Sequence, residues 1–517
     1  MTLKQKLPNL IRGITGNVSD PFLREIASFA GALVTETVTL GDGDVFELHA
    51  APIRMRIGEN TVKMLAYNGS IPGPTLVVKQ GSQVIVNFTN HMDIETTVHW
   101  HGLRLDNRFD GVPEGEHQGM QLPIPPGGGF AYQLRFPDPG MFWYHPHIRE
   151  DYTQEHGLYG NILVVPEGPD YWAPVNREIT LVLDDILIQR GKVAQFSQSE
   201  SFMTAMGRYG NVMLVNGTTQ YDLTVPIGEV VRLYLTNTAN VRTFNFCIPG
   251  ARMKYVGADN GRVEREVFVH EVMISPSERV ILEVLFEEAG KYAIEHRTPH
   301  KSYTLGRVTV SDQPVNPSYR NQFLQLRQDE ALRAERARLE ADFDRIPDKT
   351  IALIGEMPGM KHGDGHHHVE AIEWEDNMLM HNRMTTPHNM FWKIVDQETG
   401  AANHDILWVF KTEDRVKIRI VNDPHSDHPM QHPFHFHGER FLVLSHDGVR
   451  NDNLVWKDTV LVQAGETVDI MLETSNPGLW MAHCHIAEHV EGGMMFNFLV
   501  TENGSEEMPA PSQRHHG

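Results

Sequence analysis

Cysteine is scarce in this sequence, since Cys247 and Cys484 are the only two among 517 residues. Two cysteines cannot form a disulfide framework, so a fold held together by disulfides is excluded. Cys247 lies in the strand-like segment TFNFCIPG and is expected to be a small buried apolar residue. Cys484 stands between two histidines, which indicates a different role.

Long apolar runs and an excess of positive charge are also missing. No segment approaches the roughly 18 apolar residues that cross a bilayer as a helix, so we expect no membrane span. A net charge of -22 argues against nucleic acid or an anionic membrane as a partner. The start, MTLKQKLPNL, is not a secretory signal. Either the protein is cytoplasmic, or a leader has been removed from the start of this sequence.

Short segments of alternating polarity, separated by Gly, Pro and Asn, dominate the sequence and predict an all-β fold of sandwiches or barrels. One strand pattern occurs three times, as VIVNFTN (Val84–Asn90), VRLYLTN (Val231–Asn237) and VKIRIVN (Val416–Asn422). Such self-similarity indicates three copies of one structural unit.

A second repeated pattern is a glycine followed by aromatic residues and a polar position five residues on. That position holds His145 in the first copy, Glu295 in the second and His483 in the third. We therefore expect the middle unit to keep the fold and to lack metal ligands. The predicted division is an N-terminal extension (1–35), three domains (36–167, 170–312 and 349–502), a connector (313–348) and a C-terminal tail (503–517).

The connector is rich in Arg, Glu, Leu and Ala between residues 316 and 344. This composition predicts a charged helical segment rather than a functional site. Leu332, Leu339 and Phe343 are the apolar residues that we expect to pack on a neighbouring domain.

Four histidine motifs carry the chemistry: HWHG (His99–Gly102), YHPH (Tyr144–His147), HPFHFHG (His432–Gly438) and HCHIAEHVEGGM (His483–Met494). In a strand, residues i and i+2 share a face, so His-x-His presents two imidazoles side by side. Chance alone supplies one or two such pairs, as in the run His366–His368. Four pairs at matching places in two domains indicate a metal cluster.

In the last motif, His483 and His485 face one side of the strand and Cys484 faces the other. One strand can thus serve two metal sites. Cys484 with two histidines and a weak thioether is the ligand set of a blue-copper electron-transfer site. The ligands in question are His432, Cys484, His489 and Met494, with Met495 as a competitor for Met494.

These motifs, in this order and spacing, resemble the three-domain multicopper oxidases, the family of laccases, bilirubin oxidases and bacterial cuprous oxidases. The resemblance covers roughly residues 40 to 500 and implies three cupredoxin-like domains, four copper ions and O2 as the electron acceptor. It implies a type 1 copper at His432, Cys484, His489 and Met494, and a type 2 copper at His99 and His435. The two type 3 ions would take His101, His145 and His485, and His147, His437 and His483.

Reduction of O2 to water also needs protons, so a carboxylate is expected near the cluster. Asp110 stands where members of this family keep such an acid. The family often has a glutamate directly after the last type 1 histidine, but this sequence has Val490 there. Glu488 and Glu491 flank that position and are the remaining candidates.

Two classes of electron donor fit the sequence. A Met axial ligand implies a modest type 1 potential, which favours electron-rich phenols and a laccase-like oxidase. A cuprous oxidase is the nearest rival, because the segment 355–390 is rich in Met and His and soft thioethers suit Cu(I). The alternative for this segment is a loop over the third domain whose methionines pack against apolar surface. A copper-binding protein without turnover is the alternative of another class. The family resemblance favours a periplasmic or extracellular location.

Overall fold

The computed structural model of the protein describes residues 26–114, 119–197, 200–358 and 370–505. Within them the chain forms three successive two-sheet units, with short helices only in connections. The predicted all-β class with three domains and a helical connector is confirmed. No helix in the described part of the chain has the length and apolarity needed to span a bilayer.

The first unit has two five-stranded sheets, ordered β1-β3-β6-β8, with β4 also on β3, and β2-β5-β10-β9-β7. The short helix α1 (Glu150–Thr153) follows β9. Strand β1 pairs with β3, so residues within the predicted N-terminal extension belong to this sheet. The strands are β1 (Ala30–Gly31), β2 (Thr37–Leu40), β3 (Val45–Ile57), β4 (Asn60–Tyr67), β5 (Gly73–Lys79), β6 (Gln83–Asn90), β7 (His99–His101), β8 (Gly129–Arg135), β9 (Gly140–His145) and β10 (Gly160–Val165).

The second unit contains a six-stranded sheet, β14-β11-β16-β21-β18-β19, a five-stranded sheet, β15-β23-β22-β17-β20, and the hairpin β12-β13. Its strands are β11 (Arg177–Ile186), β12 (Ile188–Gln189), β13 (Lys192–Val193), β14 (Val212–Val215), β15 (Tyr221–Ile227), β16 (Val230–Asn237), β17 (Phe244–Cys247), β18 (Arg252–Ala258), β19 (Gly261–Val269), β20 (Val272–Ile274), β21 (Arg279–Leu285), β22 (Gly290–Arg297) and β23 (Ser302–Pro314).

The connector forms helices α2 (Arg320–Leu324) and α3 (Glu330–Arg338). Helix α3 begins where the Asp329 side chain accepts a hydrogen bond from the Leu332 N–H at 3.0 Å, an N-cap that satisfies one free backbone donor. Leu332, Leu339 and Phe343 are buried against a leucine-rich face of the third unit. The connector is therefore docked through the three residues expected to pack.

The third unit repeats the architecture with sheets β25-β24-β27-β33-β29-β30, with β31 on β29, and β26-β35-β34-β28-β32. Its helices are α4 (Leu379–Asn382) and α5 (Ala487–Glu491). Its strands are β24 (Lys349–Glu356), β25 (Phe391–Asp396), β26 (Trp408–Lys411), β27 (Arg415–Asn422), β28 (His432–Phe436), β29 (Arg440–His446), β30 (Val449–Arg450), β31 (Trp456–Lys457), β32 (Thr459–Val462), β33 (Thr467–Glu473), β34 (Gly478–Cys484) and β35 (Met495–Thr501).

The repeated sequence segments occupy equivalent strands: β6, β16 and β27 each lie inside the first-named sheet of their unit. Strand β6 alternates exposed and buried residues, because one of its faces meets solvent. Strand β16 is buried on both faces, since the middle unit packs against its neighbours there.

Each pair of units shares an apolar contact. Trp143 and Tyr159 of the first unit pack with Val182 of the second. Val112 of the first unit packs with Met481 of the third. The remaining pair meets in a smaller cluster that includes Val263 and Val455. The three units therefore form one closed arrangement, and the metal-ligand candidates lie where the first and third units meet.

Candidate metal centre

The same strand pairing places histidines in the first and third units. In the first, His99 on β7 lies opposite His145 on β9, and in the third, His435 on β28 lies opposite His483 on β34. The equivalent pair of the middle unit is Cys247 on β17 and Glu295 on β22. The middle unit thus keeps the register of the repeat but has no imidazole at either position.

Eight histidines from the two outer units converge in three groups, each with ligand atoms within 4.8 Å of one another. All eight are buried. The groups are His99, His101 and His435; His101, His145 and His485; and His147, His437 and His483. Each group combines residues of both outer units, so the cluster requires their contact.

Burial favours the neutral, metal-binding form of four of these imidazoles. It is the largest cause that lowers the pKa of His101, His145, His435 and His485 well below the usual range, and the neighbouring histidines lower these pKa values further. A neutral imidazole carries one N–H and one lone pair, so each ring can donate one hydrogen bond and bind one metal ion.

The Nδ1–H groups of most of these rings point away from the cluster. His99 donates to the Asp110 carbonyl oxygen at 2.7 Å, His145 to that of Pro146 at 2.8 Å and His435 to that of Asp458 at 2.8 Å. Among the described residues, the buried Nε2 atoms of His99, His145 and His435 have no hydrogen-bond partner. A buried lone pair without a donor is costly unless a cation takes it, so these atoms fit metal ligation.

His437 and His483 also fit metal ligation, but through a different geometry. Their Nε2 atoms face each other at 2.9 Å. The Nδ1 of His437 donates to Asp110 Oδ2 at 2.9 Å, and that of His483 donates to the Cys484 carbonyl oxygen at 2.8 Å. With both protons on Nδ1, two lone pairs meet at Nε2, and a cation removes that repulsion.

His101 has the opposite tautomer. Its Nε2 lies 3.0 Å from Asp458 Oδ1 and 3.1 Å from Thr459 Oγ1, whereas its buried Nδ1 has no partner among the described residues. Because a carboxylate only accepts, the proton of His101 lies on Nε2. His101 therefore offers Nδ1 to the cluster.

Cys484 belongs to a separate group with His432 and His489. Its Sγ lies 3.5 Å from His432 Nδ1 and 3.6 Å from His489 Nδ1, and the two nitrogens are 3.3 Å apart. The centre of such a triangle is about 2 Å from each atom, an ordinary distance for metal bonds to nitrogen and sulfur. Burial raises the pKa of the Cys484 thiol well above its usual value, so the thiolate needs a cation beside it.

The surroundings of this group are largely apolar and buried. Met494 is fully buried, and its carbonyl oxygen accepts from the Cys484 N–H at 3.2 Å. The Trp392 ring lies 4.1 Å from that of His489, and its Nε1–H donates to the Thr204 carbonyl oxygen at 2.7 Å. Burial also lowers the pKa of His432 to about 3, which keeps its ring neutral.

The three predicted carboxylates have different surroundings. Asp110 touches two cluster histidines, with Oδ2 at 2.9 Å from His437 Nδ1 and Oδ1 at 3.2 Å from His99 Nδ1. Glu488 is buried and accepts from Asn240 Nδ2 at 2.7 Å, and burial raises its pKa to about 8. Glu491 is partly exposed. Burial is the main cause that raises the pKa of Glu150 well above its usual range, and the nearby Glu491 raises it further.

Two carboxylates at the cluster were not predicted. Glu150 Oε1 lies 3.0 Å from His147 Nδ1, and Asp458 holds His101. Glu150 follows His147 by three residues, so its proximity was readable from the motif. Asp458 is 357 residues from His101, and only the tertiary structure brings them together.

The methionines of the segment 355–390 are divided. Met357 and Met390 are buried, whereas Met380 and Met384 are 83% and 64% exposed. Met378 packs partly against the core of the third unit. Met360, His362 and His366–His368 lie outside the described residues.

A cavity of about 690 Å³ opens beside this segment and is lined by residues that include Phe196, Phe202, Met203 and Arg383. The Arg208 guanidinium lies 3.7 Å from the Phe196 ring centre and fixes that wall. Two residues after Met203, the backbone of Ala205 lies against the His489 ring. The cavity is thus separated from the Cys484 group by one short segment of chain.

Comparison with known proteins gives a consistent result. Three domain profiles, each described as multicopper oxidase, match residues 50–169, 177–313 and 372–504. The chain is 26% identical to a multicopper oxidase of Staphylococcus aureus, over 86% of this chain and 85% of that protein. It is 25% identical to laccase-1 of Cryptococcus neoformans, over 86% of this chain and 78% of that protein. A solved multicopper oxidase of Pseudomonas thermotolerans superposes with a TM-score of 0.66 at 26% identity, covering 90% of this chain and all of the other.

Proposed function

Since the chain belongs to the multicopper oxidase family, we propose that it couples one-electron oxidation of phenolic donors to four-electron reduction of O2 to water. The proposal assigns one copper to His432, Cys484, His489 and Met494. It assigns three copper ions to the eight histidines of the cluster, as the sequence resemblance implies. When bound, these ions supply the one-electron redox chemistry and the O2 binding that no side chain can provide.

The observation that carries the proposal is the position of Cys484 between His483 and His485. The three residues are adjacent in the chain, yet Cys484 belongs to the His2Cys group and its two neighbours belong to the cluster. A covalent route of a few bonds therefore leads from the donor-side group to the cluster. A simple blue electron carrier needs only the first of the two sites.

The cavity beside Phe196 and Phe202 supports an aromatic donor. Its walls combine aromatic rings with polar groups such as Gln195 and Arg383, a composition that suits a substituted phenol. The segment Met203–Ala205 lies between the cavity and the His489 ring, so a bound donor needs no access to the copper itself.

Asp110 is the carboxylate best placed to hold or pass a proton. It bridges His99 and His437, which we assign to two different copper ions. Glu488 is hydrogen bonded to Asn240 of the middle unit. We therefore assign the proton-handling role to Asp110 before Glu488 and Glu491.

The test is the number of 2,6-dimethoxyphenol molecules oxidised per O2 consumed by the copper-loaded protein. The proposal predicts a ratio of four electrons per O2, without release of peroxide. C484S should lose the blue absorption, and its turnover should fall at least about a hundredfold, because it lacks the thiolate at the site where electrons enter. C247S replaces the other buried cysteine and should retain the wild-type rate.

A ratio of two electrons per O2, together with accumulating peroxide, would contradict reduction to water. Four bound copper ions without O2 consumption from any donor would favour a copper-binding protein without turnover.

One observation favours a cuprous oxidase as the second candidate. Met206 Sδ lies 3.0 Å from His428 Nε2, both residues are largely shielded from solvent, and His428 precedes His432 by four positions. Burial lowers the pKa of His428 to about 4, so a neutral imidazole and a thioether, both suitable for Cu(I), face each other.

M206L separates the two candidates, because it keeps the volume and removes the sulfur. If Cu(I) is the donor, the KM for Cu(I) should rise about tenfold while phenol oxidation is unchanged. M253L, in the core of the middle unit, is the matched control. Equal effects of M206L on both donors would rule out a cuprous site at this pair.

A further inference from the structure

Arg279 is a fully buried arginine at the start of β21, in the unit that supplies no histidine to the cluster. A guanidinium buried this deeply must satisfy all its donors within the protein. Within the middle unit, Nη1 donates to the Ser277 carbonyl oxygen at 2.9 Å and lies 3.6 Å from Asp259 Oδ1. Its other N–H groups form hydrogen bonds with residues of both neighbouring units.

Toward the first unit, Arg279 Nε donates to the Met141 carbonyl oxygen at 2.7 Å. The Met141 N–H donates in turn to the Asp259 carbonyl oxygen at 3.1 Å. Met141 lies on β9, the strand that ends at His145. The middle unit therefore holds the strand that presents a cluster histidine.

Toward the third unit, the guanidinium grips the Asp458 carboxylate with two donors. Nη1 reaches Oδ1 at 2.7 Å, and Nη2 is hydrogen bonded to Oδ2. Two parallel contacts fix the plane of a carboxylate as well as its position. Asn260 of the middle unit adds a bond from Nδ2 to Asp458 Oδ2 at 3.1 Å.

Asp458, held in this way, contacts two cluster histidines. Its Oδ1 lies 3.0 Å from His101 Nε2, and its carbonyl oxygen lies 2.8 Å from His435 Nδ1. The rings of His101 and His435 stack with centroids 3.8 Å apart. A shift of the Asp458 side chain would therefore free the Nε2 proton of His101, and the ring could then adopt the tautomer that has no lone pair on Nδ1.

Gly102 shows how closely this pair is packed against the HWHG motif. Its φ is +83°, and a Cβ built there would fall against the Asp458 carboxylate and the Arg279 guanidinium. A side chain at position 102 must displace the pair or strain the backbone.

We propose that Arg279 is a positioning residue of the copper cluster: by fixing Asp458 and Met141, the ligand-free middle unit sets the tautomer and position of His101 and the placement of His145. The proposal rests on the copper cluster proposed above. Partners that orient a ligand in this way govern metal affinity about tenfold to a hundredfold. Arg279 acts only on the cluster side and makes no contact with the Cys484 group among the described residues.

The test compares two charge-conserving variants, R279K and R232K. Lysine keeps the charge and loses the planar two-donor grip. Arg232 is the matched control because it is also buried in the same unit and pairs with Glu283 at 2.7 Å, and among the described residues it has no contact with a histidine of the cluster. Copper content, electron paramagnetic resonance of the cluster copper, blue absorption and Tm are measured on the full chain.

For R279K we expect at least tenfold weaker retention of the cluster copper against a chelator, a changed resonance signal, and blue absorption at the wild-type level. For R232K we expect a comparable fall in Tm with all copper retained. Wild-type cluster copper in R279K, or equal losses from both copper sites in both variants, would overturn the proposal. If the wild type itself binds no cluster copper, the proposed function fails instead.

G102A keeps the proposal testable if R279K does not fold. It leaves every charge in place and crowds the Arg279–Asp458 pair with a methyl group. The same selective loss of cluster copper is expected, and a folded G102A with full cluster copper and an unchanged resonance signal would overturn the assignment.

Discussion

At the scale of single residues, the oxygen atom behind a cluster histidine decides which ring nitrogen faces inward, as four of these histidines show. Carbonyl oxygens hold the Nδ1 side of His99, His145 and His435, whereas the Asp458 carboxylate holds the Nε2 side of His101. Each partner fixes the orientation of its imidazole ring, so replacing one should weaken metal binding without unfolding the protein.

Glu150 provides a direct test of this principle. E150Q replaces the carboxylate 3.0 Å from His147 Nδ1 with an amide of similar shape and weaker accepting power. We expect retention of the cluster copper to fall about tenfold, measured by competition with a chelator.

E155Q is the control for this variant, because Glu155 is a buried acid five residues along the chain with no ion pair to a cluster histidine among the described residues. Equal copper retention in E150Q and the wild type would show that Glu150 does not support His147.

The buried carboxyl of Asp184 should make the stability of the protein depend on pH, independently of copper. Burial raises the pKa of Asp184 to about 7, although the Tyr159 hydroxyl donates to it. The folded state therefore favours the protonated form, so this residue costs no stability below pH about 4. Between pH about 4 and 7 it should lower stability by about 1.4 kcal/mol per pH unit.

D184N should flatten that decline when Tm is followed from pH 5 to pH 7. The exposed D222N serves as the control, since it removes a charge without a burial cost. A decline in Tm as steep in D184N as in the wild type would show that Asp184 ionises freely in the folded protein.

At the scale of elements, the strand repeat explains how much of the site was predictable. The alternation of side chains along β34 predicts that Cys484 faces away from His483 and His485, and in the structure these residues belong to different groups. The repeated glycines Gly140, Gly290 and Gly478 share φ values of +148°, +152° and +159°, which confirms that the three copies have one local structure.

What the sequence could not provide are contacts between distant segments. His101, Arg279 and Asp458 lie in three different units, and no motif or spacing relates them. The cavity beside Phe196 likewise depends on a loop of the second unit meeting Arg383 of the third. Such contacts arise from packing between domains, which periodicity within one segment does not encode.

The connector helix α3 gives a prediction at this scale. Leu339 is fully buried against Leu442 and Leu444 of the third unit. L339A should therefore lower the free energy of unfolding by about 2–5 kcal/mol, because it removes apolar contact and leaves a cavity.

The copper content of L339A should be unchanged, and the exposed R338A should shift Tm by less than L339A. Thermal unfolding followed by circular dichroism measures both. A Tm for L339A equal to that of R338A would mean that the connector does not stabilise the third unit.

At the scale of the whole molecule, three copies of one fold have different tasks. The first and third units supply the histidines of the cluster, and the third also holds the Cys484 group. The second supplies Arg279, part of the wall of the cavity beside Phe196 and the backbone beside His489. The middle unit has no imidazole at positions 247 and 295, yet it contributes contacts to both neighbouring units.

The most direct test of the central claim is an anaerobic reductive titration of the copper-loaded protein, followed by one addition of O2. We expect each molecule to take up four electron equivalents, with the blue absorption bleached during the titration. One equivalent of O2 should then restore it fully. Uptake of a single electron, or reoxidation that leaves most of the stored electrons in place, would contradict an electron path from Cys484 to a three-copper cluster.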